Sequence, residues 1–173
     1  MNQRCAPRGT PSARHEVRHA GDVPLDVEQV SESAKPILQR LLELNAYEFS
    51  AIDGRDIGPN GEYGYRYLDP YWRESSRRAA LLFHVDDQLA GFALVRVGTP
   101  HQIAEFLILP KYRRLGVGGA AARAVLARWP GEWMTHQLSG NDGAVAFWRR
   151  AIPVPFTETT DANGFTQHFV VGE

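Results

Sequence analysis

Residues Ile103 to Trp129 read IAEFLILPKYRRLGVGGAAARAVLARW, and this stretch decides the fold. Ile103 to Leu109 is a short apolar run, the pattern of a central strand covered on both faces, with Glu105 as its one internal charge. Pro110 to Leu115 is a tight connection. A helix is predicted to open on Gly116-Val117-Gly118-Gly119, because Val117, Ala120, Ala121, Ala124, Val125 and Leu126 recur at helical spacing while Arg123 and Arg128 fall toward solvent.

Glycines at the start of a helix have a physical use. The first turn leaves N–H groups without intrahelical partners, and the helix dipole makes that end mildly positive. Glycine lets a phosphate approach those groups, and Arg113 and Arg114 stand beside them with full charges. A glycine-rich turn that merely packs closely is the competing reading. The run Gly116-Val117-Gly118-Gly119-Ala120-Ala121 also satisfies the dinucleotide fingerprint GxGxxA. That motif needs its strand to run straight into the first glycine, and an acidic residue about 20 positions later. Pro110 ends the strand too soon and Glu132 precedes the next strand, so the context excludes it.

Arg113-Arg114-Leu115-Gly116-Val117-Gly118 resembles instead the (Gln/Arg)xxGx(Gly/Ala) loop of the GNAT superfamily of N-acetyltransferases, and Leu107 to Arg113 resembles that family's strand-Pro-x-Tyr-Arg lead-in. Further on, Asn141-Asp142-Gly143-Ala144-Val145-Ala146-Phe147-Trp148 resembles the second signature of the family, AsnxxAxxPheTyr, beginning 28 residues after Arg113. The resemblance covers roughly residues 23 to 152. It implies an α/β (α+β) fold with a mixed, mostly antiparallel sheet of six to seven strands flanked by helices. It also implies acetyl-CoA as acyl donor, held by Leu107, Ile108, Leu109, Arg113, Arg114, Leu115, Gly116, Val117, Gly118, Gly119, Asn141, Ala144, Phe147 and Trp148. Trp148 departs from the pattern. The family commonly has tyrosine there, often assigned as the acid for the departing sulfur, and an indole N–H is no acid near neutral pH. A thiol near the cysteine reference pKa of about 8.5 can leave as thiolate, so the reaction survives the change. Trp148 either packs on the pantetheine arm or anchors the core beside Phe147.

The rest of the chain fits around this centre. With 173 residues and 43% hydrophobic residues, one domain with a real core is expected over residues 22–173. Residues 1–21 are rich in Arg, Pro, Gly and His, and predict a disordered extension without the apolar segment of a secretory signal. A net charge of −1 gives no support for nucleic acid as a partner. No apolar run approaches the about 18 residues a membrane span needs. A single cysteine, Cys5, excludes an internal disulfide and suits a bacterial cytoplasm, and no metal-ligand spacing is present.

Val23 to Val30 alternates as a first strand, with Pro24 marking an edge or a strand start. Ser31 or Ser33 is placed to cap a helix with Pro36 in its first turn and Ile37, Leu38, Leu41, Leu42, Leu44 and Phe49 on its apolar side, ending near Ser50. Ala80 to Val85 and Leu89 to Val97 predict a hairpin around Asp86-Asp87-Gln88. Trp133 to Leu138 predicts a fifth strand, Asp142 to about Arg150 a helix, and the segment after Ile152 a terminal hairpin turning at Asp161-Ala162-Asn163-Gly164. In GNAT proteins such terminal strands sometimes meet a second subunit, so a homodimer is a partner to expect.

Ala51 to Ser76 is a long stretch in which Asp53, Asp56, Glu62 and Asp69 lie among Tyr63, Tyr65, Tyr67, Tyr71 and Trp72. So long an aromatic loop in a compact domain usually has a purpose. In the resembled family the segment often lines the acceptor pocket, and the wording LNAYEF…DGRD…GYRYLDPYW resembles a bacterial subgroup of that family. One reading makes Asp53, Tyr65, Tyr67, Asp69, Tyr71 and Trp72 a site that encloses an amine and neutralises it, which favours a small cationic molecule as acceptor. The other makes the stretch a tyrosine-rich lid over the core.

The mechanism the resemblance implies is direct attack of an amine on the thioester, with a backbone N–H around Leu107 to Leu109 facing the oxyanion. A neutral amine is required, hence a general base. Glu105 is the candidate, because burial in an apolar strand raises a carboxyl pKa toward a useful range. Its competing role is an ion pair with Arg96. Tyr67 is a further catalytic candidate, with Tyr65 and His136 as alternates. From another functional class, a regulatory module that binds acetyl-CoA without turnover fits the missing tyrosine.

Overall fold

The computed structural model describes residues 24–172. The expected N-terminal extension and Cys5 lie outside the described residues. Seven strands form one sheet in the order β1-β2-β3-β4-β5-β7-β6. They are β1 (Leu25–Gln29), β2 (Arg78–Val85), β3 (Gln88–Arg96), β4 (His101–Ile108), β5 (Gly131–Leu138), β6 (Phe156–Asp161) and β7 (Gly164–Val171). All neighbours are antiparallel except β4 and β5. The mixed, mostly antiparallel sheet of the sequence reading is therefore the observed one, and β1 is an edge strand as Pro24 suggested.

Helices cover both faces, and strand alternation sorts the core between them. Ala79, Leu81, Phe83 and Val85 of β2 pack with α3 (Val117–Leu126) and α4 (Asp142–Ala151), while Ala80 and Leu82 pack with α1 (Lys35–Asp53) and α2 (Pro70–Arg73). In α1, Leu38, Leu41, Leu42 and Asn45 form the buried stripe. Gly54, at φ 68°, ends α1 and donates its N–H to the Ser50 carbonyl at 3.0 Å. The expected serine cap differs. Ser31 and Ser33 hydrogen-bond each other at 2.8 Å, and a short 3-10 turn (Glu32–Ala34) leads into α1 without a side-chain cap. Ile37 and Leu44, placed on the apolar side from sequence, are exposed.

Two local features shape the centre of the sheet. Strands β4 and β5 register at only two positions, His101 with Trp133 and Gln102 with Met134. Beyond Gln102 they share no ladder, so the C-terminal half of β4 faces a gap. The second feature is a bulge. Leu94 of β3 stands opposite Glu105, whereas Val95 stands opposite Ile103, which leaves Ala104 as the extra residue. The bulge turns Glu105 to the α1 side while Ile103 packs on the α3–α4 side with Phe106 and Ile108.

Candidate functional site

The loop after β4 joins a strand end, two left-handed residues and an uncapped helix start, the backbone geometry that an anion cradle requires. Pro110–Tyr112 forms a short 3-10 turn, and Tyr112 is buried as its anchor. Arg114 and Gly116 both take left-handed backbone, at φ 63° and 83°. Gly116 is the N-cap of α3, whose first turn receives no side-chain cap. A Cβ on Gly118 would meet Phe147 Cε2 at 3.1 Å and Ile108 Cγ1 at 3.5 Å. Glycine thus keeps open the space where the helix start, the end of β4 and α4 converge. Uncapped N–H groups, a positive dipole end and an open approach suit the pyrophosphate and arm of acetyl-CoA.

Arg113 does not join that cradle as expected. Its Nε donates to the Ile108 carbonyl at 2.6 Å, and its Nη2 reaches both Glu48 carboxylate oxygens of α1 at 2.6 and 2.7 Å. The guanidinium is committed to bracing the loop against α1, so Arg114 is the arginine free to add charge to the cradle. Leu115 is exposed beside it.

Backbone direction along β4 follows from two bonds. The Leu109 N–H donates to the Ala90 carbonyl at 2.8 Å, so it points to β3. That N–H is spent, which removes Leu109 from the expected oxyanion donors. Strand residues alternate in direction, and the Ile108 carbonyl is the one that meets Arg113. The N–H and C=O of Ile108 therefore face the gap toward β5, and those of Leu107 face β3.

Across the gap, the second signature behaves mainly as structure. Asn141 Oδ1 accepts the Ala144 N–H at 3.1 Å and caps α4. Phe147 stacks on Phe106 with centroids 5.7 Å apart. Trp148 is 5% exposed and packs edge-on against Phe106 and Phe147, both at 5.2 Å. Of its two expected roles the core anchor is the one seen.

Glu105 sits on the α1 side, half-buried, with Asn45 Nδ2 donating to its Oε2 at 2.9 Å. Burial pushes its carboxyl up to about 7 against the pull of Asn45, the Arg55 charge, the Tyr65 hydroxyl and the Arg96 charge. Among the described residues Glu105 forms no ion pair, so the expected alternative pairing with Arg96 is absent. Tyr65 is the tyrosine that stands beside it, and burial followed by the Glu105 charge raises its phenol well above the usual range. Tyr67 meets Tyr65 edge-on at 5.9 Å but is 56% exposed. Tyr65 replaces Tyr67 as the tyrosine at the candidate base. His136 is exposed on β5 and bonded to Thr166 Oγ1 at 2.9 Å.

The long loop is pinned to α1, with Glu43 accepting the Tyr63 and Gly64 N–H groups at 2.7 and 2.8 Å. Two of its carboxylates are committed to cations of the chain itself, whereas among the described residues Glu62 accepts only from Asn60 Nδ2 at 2.8 Å. Asp53 accepts from Arg55 Nε at 2.8 Å, and Asp69 pairs with Lys35 at 2.6 Å and Arg73 at 3.6 Å. Tyr71 is buried beneath Arg78, whose guanidinium lies 5.5 Å from the ring centroid, and Trp72 Nε1 donates to the Val30 carbonyl at 3.2 Å. Asp53, Asp69 and Trp72 thus hold the loop in place rather than line an amine-binding pocket. Asn45 is the residue that sequence reasoning missed. An asparagine three positions after Leu42 on a buried stripe was the available signal.

Among the described residues no group of three or more His, Cys, Asp or Glu could hold a metal ion, and no helix is long and apolar enough to cross a membrane.

The model of the Acetyltransferase (GNAT) family matches residues 40–152. No curated protein matches the chain significantly. Solved structures resemble it over nearly their whole length. An acetyltransferase from Thermus thermophilus is 19% identical, with a TM-score of 0.63, 84% of this chain and 95% of that one being covered. The ribosomal-protein-S18-alanine N-acetyltransferase from Escherichia coli is 14% identical, with a TM-score of 0.58 over 86% and 95% of the two chains. The spermidine N-acetyltransferase from Vibrio cholerae, in complex with CoA and spermine, is 9% identical, with a TM-score of 0.60 over 87% and 96%. At these identities the likeness speaks for the fold alone.

Proposed function

The chain belongs to the acetyltransferase (GNAT) family and is an acyl-CoA-dependent N-acetyltransferase with acetyl-CoA as donor, and from that premise we propose direct transfer to a primary amine of a small molecule with Glu105 as general base. The observation that supports this reading most is the placement of Glu105, half-buried on the bulged centre of β4 with a carboxyl near 7. When bound, acetyl-CoA supplies a thioester carbonyl for the amine to attack.

This chain's own residues have distinct tasks. A primary amine reaches the site protonated and must lose that proton to become a nucleophile. Glu105 accepts it, with Asn45 holding Oε2 so that the other oxygen is free for the proton. The Ile108 N–H, turned to the gap, is the backbone donor for the charge that develops on the carbonyl oxygen. The first turn of α3, with Arg114, holds the pyrophosphate.

No proton comes to the leaving sulfur from position 148, because the Trp148 side chain is enclosed by Phe106 and Phe147. Trp148→Tyr is accordingly expected to leave kcat within about threefold. It should cost about 1–3 kcal/mol of stability, through a buried hydroxyl without a partner. Steady-state kinetics with a thermal melt checks both.

The direct test is amine-dependent release of CoA thiol from acetyl-CoA. Turnover of a small primary amine is the expected result. Acetyl-CoA binding without amine-dependent thiol release, across amino acids, polyamines, aminoglycosides and N-terminal peptides, would overturn the proposal.

A further inference from the structure

One turn of α1 carries two polar residues that reach both halves of the proposed chemistry. Asn45 and Glu48 are three residues apart, a spacing that makes them neighbours on one side of the helix. Asn45 Nδ2 donates to Glu105 at 2.9 Å. Glu48 receives Arg113 Nη2 on both carboxylate oxygens, at 2.6 and 2.7 Å, and Arg113 Nε donates to the Ile108 carbonyl at 2.6 Å. Ile108 is the residue whose N–H is assigned to the oxyanion. The helix that holds the base therefore also reaches the backbone of the donor.

The Ile108 backbone is gripped from two sides. On the β3 side, the Leu109 N–H donates to the Ala90 carbonyl at 2.8 Å. There too, the Leu107 carbonyl oxygen comes so near Gly91 that a Cβ would lie 2.1 Å from it, an approach only glycine permits. On the other side β5 offers no ladder partner, because its pairing with β4 stops at Gln102. A strand end without that neighbour lacks the hydrogen bonds that fix its peptide planes. Arg113 supplies the hold that β5 does not. An arginine suits the task, since its planar fork can bond a carbonyl and a carboxylate at once. Both partners of the ion pair are 41% exposed, so the pair adds little to stability and its worth lies in geometry.

We propose that Arg113 and Glu48 are positioning residues of the reaction: Glu48 orients Arg113, and Arg113 fixes the Ile108 peptide so that its N–H meets the charge developing on the thioester oxygen. This rests on the proposed Ile108 donor. It also takes Arg113 away from the pyrophosphate, which is left to the first turn of α3 and Arg114.

The test separates cofactor binding from chemistry. Calorimetric titration with CoA should give Arg113→Gln a Kd within about threefold of wild type, because the first turn of α3 is untouched. Infrared difference spectra of bound acetyl-CoA, with an isotope-labelled thioester carbonyl, read the donor itself and need no acceptor amine. In the wild type the C=O stretch should lie below that of free acetyl-CoA, and in Arg113→Gln most of that shift should be lost. With any amine that turns over, kcat should fall about tenfold or more in Arg113→Gln and about threefold in Glu48→Gln, the amine KM changing little. The double variant should be no slower than Arg113→Gln alone, because Glu48 acts through the arginine. Arg113→Lys should not restore the rate, since a point ammonium lacks the fork that spans Ile108 and Glu48. A thermal melt accompanies each variant, and Glu48→Gln, altered only at an exposed carboxylate, carries the test if Arg113→Gln is unstable. A C=O stretch in Arg113→Gln that matches the wild type overturns the proposal, as does a wild-type kcat. So does a Kd for CoA raised about tenfold or more, which would make Arg113 a pyrophosphate ligand after all. If no amine turns over on the wild-type protein, the proposed reaction fails, while the infrared comparison still decides the role of Arg113.

Discussion

Glu105→Gln is expected to lower kcat by about 10²–10⁴-fold, the range that loss of a positioned general base produces. The substitution keeps shape and volume, and glutamine still offers an oxygen to Asn45 Nδ2, so the bulge and its packing remain. What disappears is the proton acceptor. In the wild-type protein burial holds the carboxyl near 7, so the base is mostly protonated at pH 6 and ionised at pH 8. The pH profile of kcat/KM should therefore rise through about pH 7, and that limb should vanish in Glu105→Gln. Stability provides an independent check with its own sign. A carboxyl whose folded pKa is raised binds its proton more tightly in the native state. Its contribution is full below the unfolded value of about 4.3 and is lost as pH rises through 7. Denaturant unfolding between pH 5 and 8 should show that decline in the wild type and a flatter dependence in Glu105→Gln. Unchanged kcat at pH 8 with the same rising limb would remove Glu105 from catalysis.

Glu105 also shows where sequence reading reaches its limit. The strand, the charge inside it and its central place were legible from apolar runs and the loop that follows. Strict alternation, however, groups Glu105 with Ile103 and Leu107 on one face. The bulge at Ala104 separates Ile103 from the other two, and a bulge leaves no periodic trace in a row of apolar residues. The same limit applies to the long loop. Tyrosines and carboxylates were visible, but ion-pair choice is decided by where Lys35, Arg55 and Arg73 arrive in space. Those pairings commit Asp53 and Asp69 to the chain's own cations. Asn45 failed to attract notice for the opposite reason. Its neighbours Leu38, Leu41 and Leu42 explained the helix well enough without it, and only the bond to Glu105 gives it a role. The glycine loop was legible because its parts are contiguous. A strand, a proline and a helix start fix one another's geometry locally, whereas Arg113 met Glu48 from a distant helix.

Gly118→Glu is expected to weaken acetyl-CoA binding at least about 100-fold, which corresponds to about 2.7 kcal/mol. Gly118 is at ordinary helical backbone in the first turn of α3, so an L side chain meets no backbone strain there. A non-glycine residue gains up to about 1 kcal/mol of helix propensity, and a carboxylate in a first turn gains about 0.3–1 kcal/mol from the dipole. Against this, the new Cβ presses on Phe147, a half-buried ring that must yield by a few tenths of an ångström. The terms nearly cancel, and a melting temperature within a few degrees of wild type is the expected control. Binding has no such compensation. The carboxylate occupies the opening between the α3 N-terminus, Ile108 and Phe147, and it sets a negative charge against a pyrophosphate at the same dipole end. Calorimetric titration with acetyl-CoA and CoA would read both effects. Arg114→Gly supplies the milder arm: it relieves the left-handed backbone at φ 63° and removes one exposed charge, so a loss of about three- to tenfold without destabilisation is expected. Wild-type affinity retained in a folded Gly118→Glu protein would mean that the cofactor is held elsewhere than in this loop.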